Sequence, residues 1–311
     1  MAAAISQSQT LRGADGCVHF SDLKQFARSP AHYKHAVTSP RVTTAAIRRG
    51  LIVDRLIFGG DCPIYPGDDR RGNSWDAFTE LAAGRELLVY PGERRGKAYK
   101  EFVAAHPDAR IFTQREHDDA AAHVATLETG RFYAPEDFVT WKELADAEPI
   151  ARAVQADELA VQYLAGRHQV ALEWEMMGVR CATRGVDCVG AGWISDLKCT
   201  QTTQPDRYMW HARRMLWNAQ LAFYVEACRQ NGIDTSKGVL LVGVEATAPH
   251  PVTVLRLTPR ALEDGEKCIH LWLEQLRACE ATGAWPGYVQ SVVDFDVEQD
   301  VELVGLEDDE A

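Results

Sequence analysis

The apolar pattern changes period near residue 167, and that change limits the folds open to this chain. Over 170–176 and 179–189 apolar and polar residues alternate, with a tight turn at Met177-Gly178 between the two runs. Gly190-Ala191-Gly192 forms the next turn, and 193–199 reads as a third strand. One long helix follows, with Pro205 near its first turn and its end at Asn231-Gly232. Strands over 239–246 and 252–257 come next, and Thr258-Pro259 opens a helix to about Thr282. Three strands, a helix, two strands and a helix predict a mixed sheet with helices packed on it.

Before residue 167 the chain reads as mostly helical. Ser21 caps a short helix that ends near Ser29-Pro30, and 43–58 is a second helix. Thr113-Gln114-Arg115-Glu116 has capping-box spacing and opens a third, to about Glu128. The Gly-, Pro- and Asp-rich stretch 61–73 reads as an exposed loop, and a helix over 150–164 closes this half. The expected organisation is a flexible start (1–18), one domain over 19–290 and a tail over 291–311. Within the domain, 19–166 is a helical elaboration and 167–290 the core.

Charge narrows the classes of partner. The 311 residues carry a net charge of -12, and nine acids with no Lys or Arg fall in 291–311. What remains is 33 basic against 36 acidic residues, so the body is near neutral. A uniformly basic nucleic-acid module is excluded, whereas a basic groove on a balanced body is not. No apolar run approaches the roughly 18 residues of a spanning helix, so no membrane association is expected. Residues 1–9 lack the basic and apolar regions of a signal peptide. Eight cysteines form no C-x-x-C pair, so cysteine-bound metal is not expected and reduced thiols in the cytoplasm are.

The stretch that carries chemistry is Gly185-Val-Asp-Cys-Val-Gly-Ala-Gly-Trp-Ile-Ser-Asp-Leu-Lys198. Asp187 and Asp196 lie on adjacent strands, and Lys198 shares a strand face with Asp196. A carboxylate and an ammonium in an apolar strand are costly to bury without partners. A metal-dependent phosphodiesterase needs such a set. Mg²⁺ takes hard oxygen ligands and keeps several waters, so two carboxylates suffice, and a lysine can position the attacking water. An edge-strand salt bridge is the other reading of the same residues. Gln220 and Tyr224, four apart on one helix face, are either part of a core stripe with Trp217 or groups aimed at a nucleic-acid backbone.

Asp187, Asp196-Leu197-Lys198 and Gln220-x-x-x-Tyr224 together resemble the PD-(D/E)XK nuclease superfamily, with the Q-x-x-x-Y element of its RecB-type branch. The run from Phe20 to Lys34 and Trp285-Pro286-Gly287-Tyr288 resemble the phage and prophage RecE-type exodeoxyribonuclease VIII family. The resemblance implies a restriction-endonuclease-like α/β core. It also implies a Mg²⁺-dependent exodeoxyribonuclease, with Mn²⁺ as a substitute, that digests the 5′-ended strand of duplex DNA. Double-stranded DNA ends, a single-strand annealing protein and further copies of the chain are the implied partners, in the cytoplasm of a bacterial or prophage host. By position Asp187 and Asp196 are implied metal ligands with the Leu197 carbonyl, Lys198 the catalytic lysine, and Gln220 and Tyr224 the substrate-orienting pair. An endonuclease or single-strand nuclease of the same superfamily, or a DNA-binding recombination protein without catalysis, are the alternatives.

Two positions depart from the family pattern. Asp54 stands where members carry a metal-binding His, in Gly50-Leu-Ile-Val-Asp54, and shares a stripe with Ile47, Leu51 and Phe58. A metal ligand and a partly buried Asp with a local hydrogen bond are both open there. Gly185-Val-Asp replaces the common Arg-Pro-Asp, with Arg184 close by. Arg94, Arg95, Lys97 and Lys100, and the pairs Arg48-Arg49, Arg70-Arg71 and Arg213-Arg214, are candidate phosphate contacts or solvated faces. Glu173 and Glu175 share a strand face and are either a source of an auxiliary ligand or simply exposed, and His32 and His35 read as surface residues.

Overall fold

A computed structural model describes residues 11–40, 43–59, 63–65, 73–125, 127, 138–288 and 291–293. Arg70, Arg71, most of the 61–73 loop and the acidic tail from Asp294 onward lie outside the described residues.

A five-stranded mixed sheet forms the centre. Its strands are β5 (Arg167–Met176), β6 (Val179–Val189), β7 (Trp193–Thr200), β8 (Gly238–Glu245) and β9 (Val252–Arg256), adjacent in that order. All neighbours are antiparallel except β7 and β8. That parallel pair requires a crossover, supplied by α9 (Pro205–Arg214) and α10 (Trp217–Gln230). Six consecutive residues of β8, Val239 to Val244, are buried, as expected for a strand covered on both faces.

Ahead of the sheet come α1 (Phe20–Leu23), a 3-10 turn (Lys24–Ala27), α2 (Pro30–Thr38) and α3 (Ala45–Phe58). Then follow β1 (Ile64–Tyr65), α4 (Asn73–Ala82), β2 (Leu88–Tyr90), α5 (Gly96–Ala105), β3 (Ile111–Thr113), α6 (Gln114–Val124) and β4 (Val139–Thr140). The helices α7 (Trp141–Ala156) and α8 (Glu158–Tyr163) lead into β5, and α11 (Pro259–Thr282) follows β9. Capping boxes at Thr113/Glu116 and Thr140/Glu143 start α6 and α7, and Thr258 with Pro259 starts α11.

Each face of the sheet has its own core. On one, Ile194, Val239 and Leu241 meet Phe20, Leu23, Phe223, Trp272 and Leu273. On the other, Leu197, Val242 and Val244 meet Ile52 and Val53 of α3 and Ile150 and Val154 of α7. A satellite cluster of Tyr65, Trp75, Phe78, Phe112 and Phe138 holds the α4–α6 region together.

The structure corrects the sequence reading at several points. The expected single helix over 205–231 is two, broken at Met215-Leu216, where Leu216 takes a left-handed backbone (φ 61°). The expected helix over 150–164 is also two, α7 and α8, with Asp157 capping the second through Ala160 N–H. Ser21 lies inside α1, which begins at Phe20 with His19 in the N-cap position; Ser29 caps α2, where its side chain receives His32 N–H. The helical half contains two small parallel strand pairs, β1 with β4 and β2 with β3. Ile64–Tyr65 and Asn73 therefore belong to a strand and a helix, not to the expected loop.

Candidate active site

The site forms where β6 and β7 stop pairing. Their ladder consists of Cys188 with Ser195 and Val189 with Ile194. Counting one step on puts Asp187 opposite Asp196, and there a side chain replaces the backbone acceptor. Leu197 N–H donates to Asp187 Oδ2 at 2.9 Å, and Gln169 Nε2 donates to Oδ1 at 3.2 Å. Asp196 is 2% exposed. Lys198 Nζ forms an ion pair with Asp196 Oδ2 at 2.5 Å. The ammonium also sits 5.8 Å from the Trp217 ring.

The broken helix supplies the facing wall. Gln220 Nε2 is 3.0 Å from Tyr224 Oη and 3.4 Å from Asp196 Oδ1. Gln220, Tyr224, Trp217 and Lys198 line a cavity of about 400 Å³ together with Lys24, Thr183, Arg184 and Gln169. Sequence spacing thus brought Asp187, Asp196, Lys198, Gln220 and Tyr224 to one place. The edge-strand salt bridge is not the geometry found, since β7 lies inside the sheet.

Electrostatics also draw Asp54 in. Burial holds its carboxyl well above the ordinary carboxylate range, and the charges of Asp187 and then Asp196 push the same way, opposed by Lys198. Burial, then Asp196, push Asp187 up to about 7, against the pull of Lys198 and the Leu197 and Gln169 hydrogen bonds. Burial alone would lower the Lys198 ammonium, but Asp196 and Asp187 outweigh it and hold it above its usual range. Burial and Asp196 raise the Tyr224 phenol. The apolar stripe expected around Asp54 is not core: Ile47 is 53% and Leu51 48% exposed, and α3 instead buries Ile52 and Val53. Asp54 sits at the border of these faces, where it lines a second cavity with His168 and Gln169.

Sequence reasoning missed Gln169 and Lys24. Gln169 takes a left-handed backbone (φ 49°) beside the register shift between Val170 and Leu172, and it lines both cavities. Its conformation is strained for a side-chain-bearing residue, which is how a strand end is bent to aim an amide at Asp187. Gly185 makes room for it: a Cβ there would lie 2.5 Å from Gln169 Oε1 and 3.0 Å from its Cα. That close approach accounts for glycine two residues before Asp187. Lys24 was readable only as a lysine between the apolar residues Leu23 and Phe26.

The remaining candidates go elsewhere. Arg94 pairs with Glu116, Arg95 with Glu93, Lys97 with Glu101 and Arg48 with Glu143. Glu173 pairs with Arg180 toward the far end of β5, and neither it nor Glu175 lines the cavity. His32 is only partly exposed and packs 5.4 Å from Tyr288, with its Nδ1 at Ser29.

Among the described residues no group of three or more His, Cys, Asp or Glu side chains forms a ready-made metal cage. The donor set suits a hydrated hard cation instead. Asp187 and Asp196 offer oxygen from rigid strands, Asp54 adds negative charge, and a Mg²⁺ ion that keeps its waters needs no closed cage. Carboxyls raised by burial and by one another's charge are what a cation would relieve.

Residues 98–293 match a PDDEXK-like domain of unknown function (DUF3799). The chain belongs to this family. The matched span contains Asp187, Asp196, Lys198, Gln220 and Tyr224, while Lys24 and Asp54 precede it. The PDDEXK-like chain is also similar to the crystal structure of a "putative exonuclease" from Eubacterium rectale, with a TM-score of 0.53 over 96% of each chain. Sequence identity to it is 15%, so the likeness is one of fold. No curated protein matches the sequence.

Proposed function

We propose that this protein is a metal-dependent deoxyribonuclease that degrades double-stranded DNA from its ends, 5′ to 3′, leaving 3′ single strands for recombination. The observation that carries the reading is the cluster that Asp187, Asp196 and Lys198 form with Gln220 in a PDDEXK-like fold, beside a cavity lined by Lys198, Gln220 and Tyr224. Asp187, Asp196, the Leu197 carbonyl and Asp54 would hold Mg²⁺, with Mn²⁺ as a substitute. When bound, the metal supplies an acidified water and neutralises charge on the reacting phosphate. Lys198 keeps its proton at any physiological pH, so it acts as a fixed positive charge that orients the attacking water and the phosphate oxygen. Gln220, an amide donor fixed by Asp196 and Tyr224, orients the backbone next to it.

The RecE-type part of the reading has support of its own. The two segments that resemble that family pack on each other: Tyr33 stacks on Trp285 at 5.8 Å, and Ala31 N–H donates to the Pro286 carbonyl. An annealing protein, further copies of the chain and a cytoplasmic setting belong to the same proposal, as do a single domain over 19–290 and a dispensable tail. Among the described residues no helix is long and apolar enough to cross a membrane.

The test compares linear duplex, covalently closed circular duplex and single-stranded DNA, with Mg²⁺, for the wild type and Asp196→Ala. End-labelled linear duplex should be shortened from its 5′ ends by the wild type alone, with circles intact. Equal nucleotide release by the two proteins would sink the assignment, and cut circles would replace it with an endonuclease.

A further inference from the structure

We propose that Lys24 and Arg184 form a second phosphate subsite, which holds the nucleotide phosphate adjoining the one at Lys198. This rests on the nuclease reading of the main site. Lys24 comes from the 3-10 turn, between Leu23 (0% exposed) and Phe26 (5%), so its backbone is anchored in the core. Arg184 comes from β6, three residues before Asp187. Both line the 400 Å³ cavity that Lys198, Gln220 and Tyr224 also line.

The charges in that cavity do not balance. Lys198 is matched by Asp196, whereas among the described residues no carboxylate pairs with Lys24 or Arg184. His19, also in the lining, is occupied by Asp15 at 2.7 Å. Arg12 and Arg48, half-buried elsewhere, have Glu280 and Glu143. Lys24 is half-buried and faces another ammonium, and both burial and Lys198 lower its pKa. A desolvated cation beside a like charge is costly unless an anion arrives to join it. A polynucleotide brings one, because each scissile phosphate has a phosphate on the neighbouring nucleotide. Lys24 is a positioning residue here: it fixes the register of the strand, and Lys198 acts at the scissile phosphate.

The probes are thymidine 3′,5′-bisphosphate and thymidine 5′-monophosphate, titrated by calorimetry into the full chain with Mg²⁺ present. A charge-assisted contact predicts that the bisphosphate binds wild type about tenfold or more tighter than the monophosphate. Lys24→Gln should bring that ratio close to one, and Lys24→Arg should keep most of it. Inorganic phosphate, as a competitor, separates simple anion capture from nucleotide register: it should displace the bisphosphate only weakly. Equal binding of the two nucleotides by wild type, an unchanged ratio in a folded Lys24→Gln, or strong displacement by inorganic phosphate would each overturn the subsite. Cleavage of linear duplex by the wild type is scored in parallel. Cleavage without nucleotide discrimination removes the subsite and leaves the nuclease; discrimination without cleavage removes the nuclease and leaves a phosphate-binding site.

Discussion

Replacing Asp187 by Asn measures how much strain the carboxylate cluster carries. Asp187 titrates near its ordinary 3.8 when unfolded and about 7 in the fold, so the native state holds its proton to higher pH. Stability linked to this group is therefore full below pH 4 and is lost as pH rises from 4 to 7. At 1.36 kcal/mol per unit the loss reaches about 4 kcal/mol above pH 7. Asn cannot ionise and still accepts Leu197 N–H, but it puts an amide against Gln169, at about 1 kcal/mol. In chelator at pH 8.5, Asp187→Asn should be more stable by about 3 kcal/mol, which raises Tm by about 5–10 °C. At pH 4.5 the two proteins should melt nearly together. Mg²⁺ at pH 8.5 should raise the wild-type Tm and leave the variant unmoved, which closes the gap. Thermal unfolding followed by circular dichroism reads all three conditions. A variant that melts at or below wild type in chelator at pH 8.5 would refute the strain, and a gap that persists at pH 4.5 would refute its electrostatic origin.

Three further outcomes follow from the packing and charge. Lys198→Ala removes the cation paired with Asp196, which is 2% exposed, and should cost about 2–3 kcal/mol in urea titration as well as DNA cleavage. Gly265→Ala on α11 would put a Cβ 2.7 Å from the Asn218 carbonyl and 2.8 Å from Ala219 Cα, which forces α10 and α11 apart. That should lower stability by about 1–3 kcal/mol. Deleting residues 291–311, with its nine acids, should leave nucleotide release from linear DNA within about twofold of wild type in a solvated-terminus reading. Loss of cleavage there would assign the tail to the fold or to an assembly.

The core strands were legible because each buries one or both faces in a way that writes itself into the sequence. Leu172, Trp174 and Met176 alternate with exposed residues, and Val239 to Val244 runs apolar throughout. Strand parity put Asp196 and Lys198 on one face, the glycine turn put Asp187 on the neighbouring strand, and the resemblance supplied their roles. The break at Leu216 was hidden because residues 205–230 contain no Gly and only one Pro, at the start. Tertiary contacts impose it: Tyr208 is seated against Gly243, Trp217 packs against Tyr208 and His211, and Lys198 lies over the same ring. The β1–β4 and β2–β3 pairs have two and three residues per strand, too few to show a period. Lys24 escaped notice because its meaning depends on Lys198, 174 positions away in the chain.

The Tyr33–Trp285 stack and the Arg12–Glu280 bridge tie the first helical turns to the last helix. Those turns carry Lys24, and α3 brings Asp54, so two walls of the site precede the sheet by more than a hundred residues. A ribosome must release α11 before the wall that carries Lys24 has its seat, because Phe20 packs on Trp272. On the proposed nuclease reading this delays competence until α11 has been released, and the 98–293 span that matches the family lacks Lys24 and Asp54.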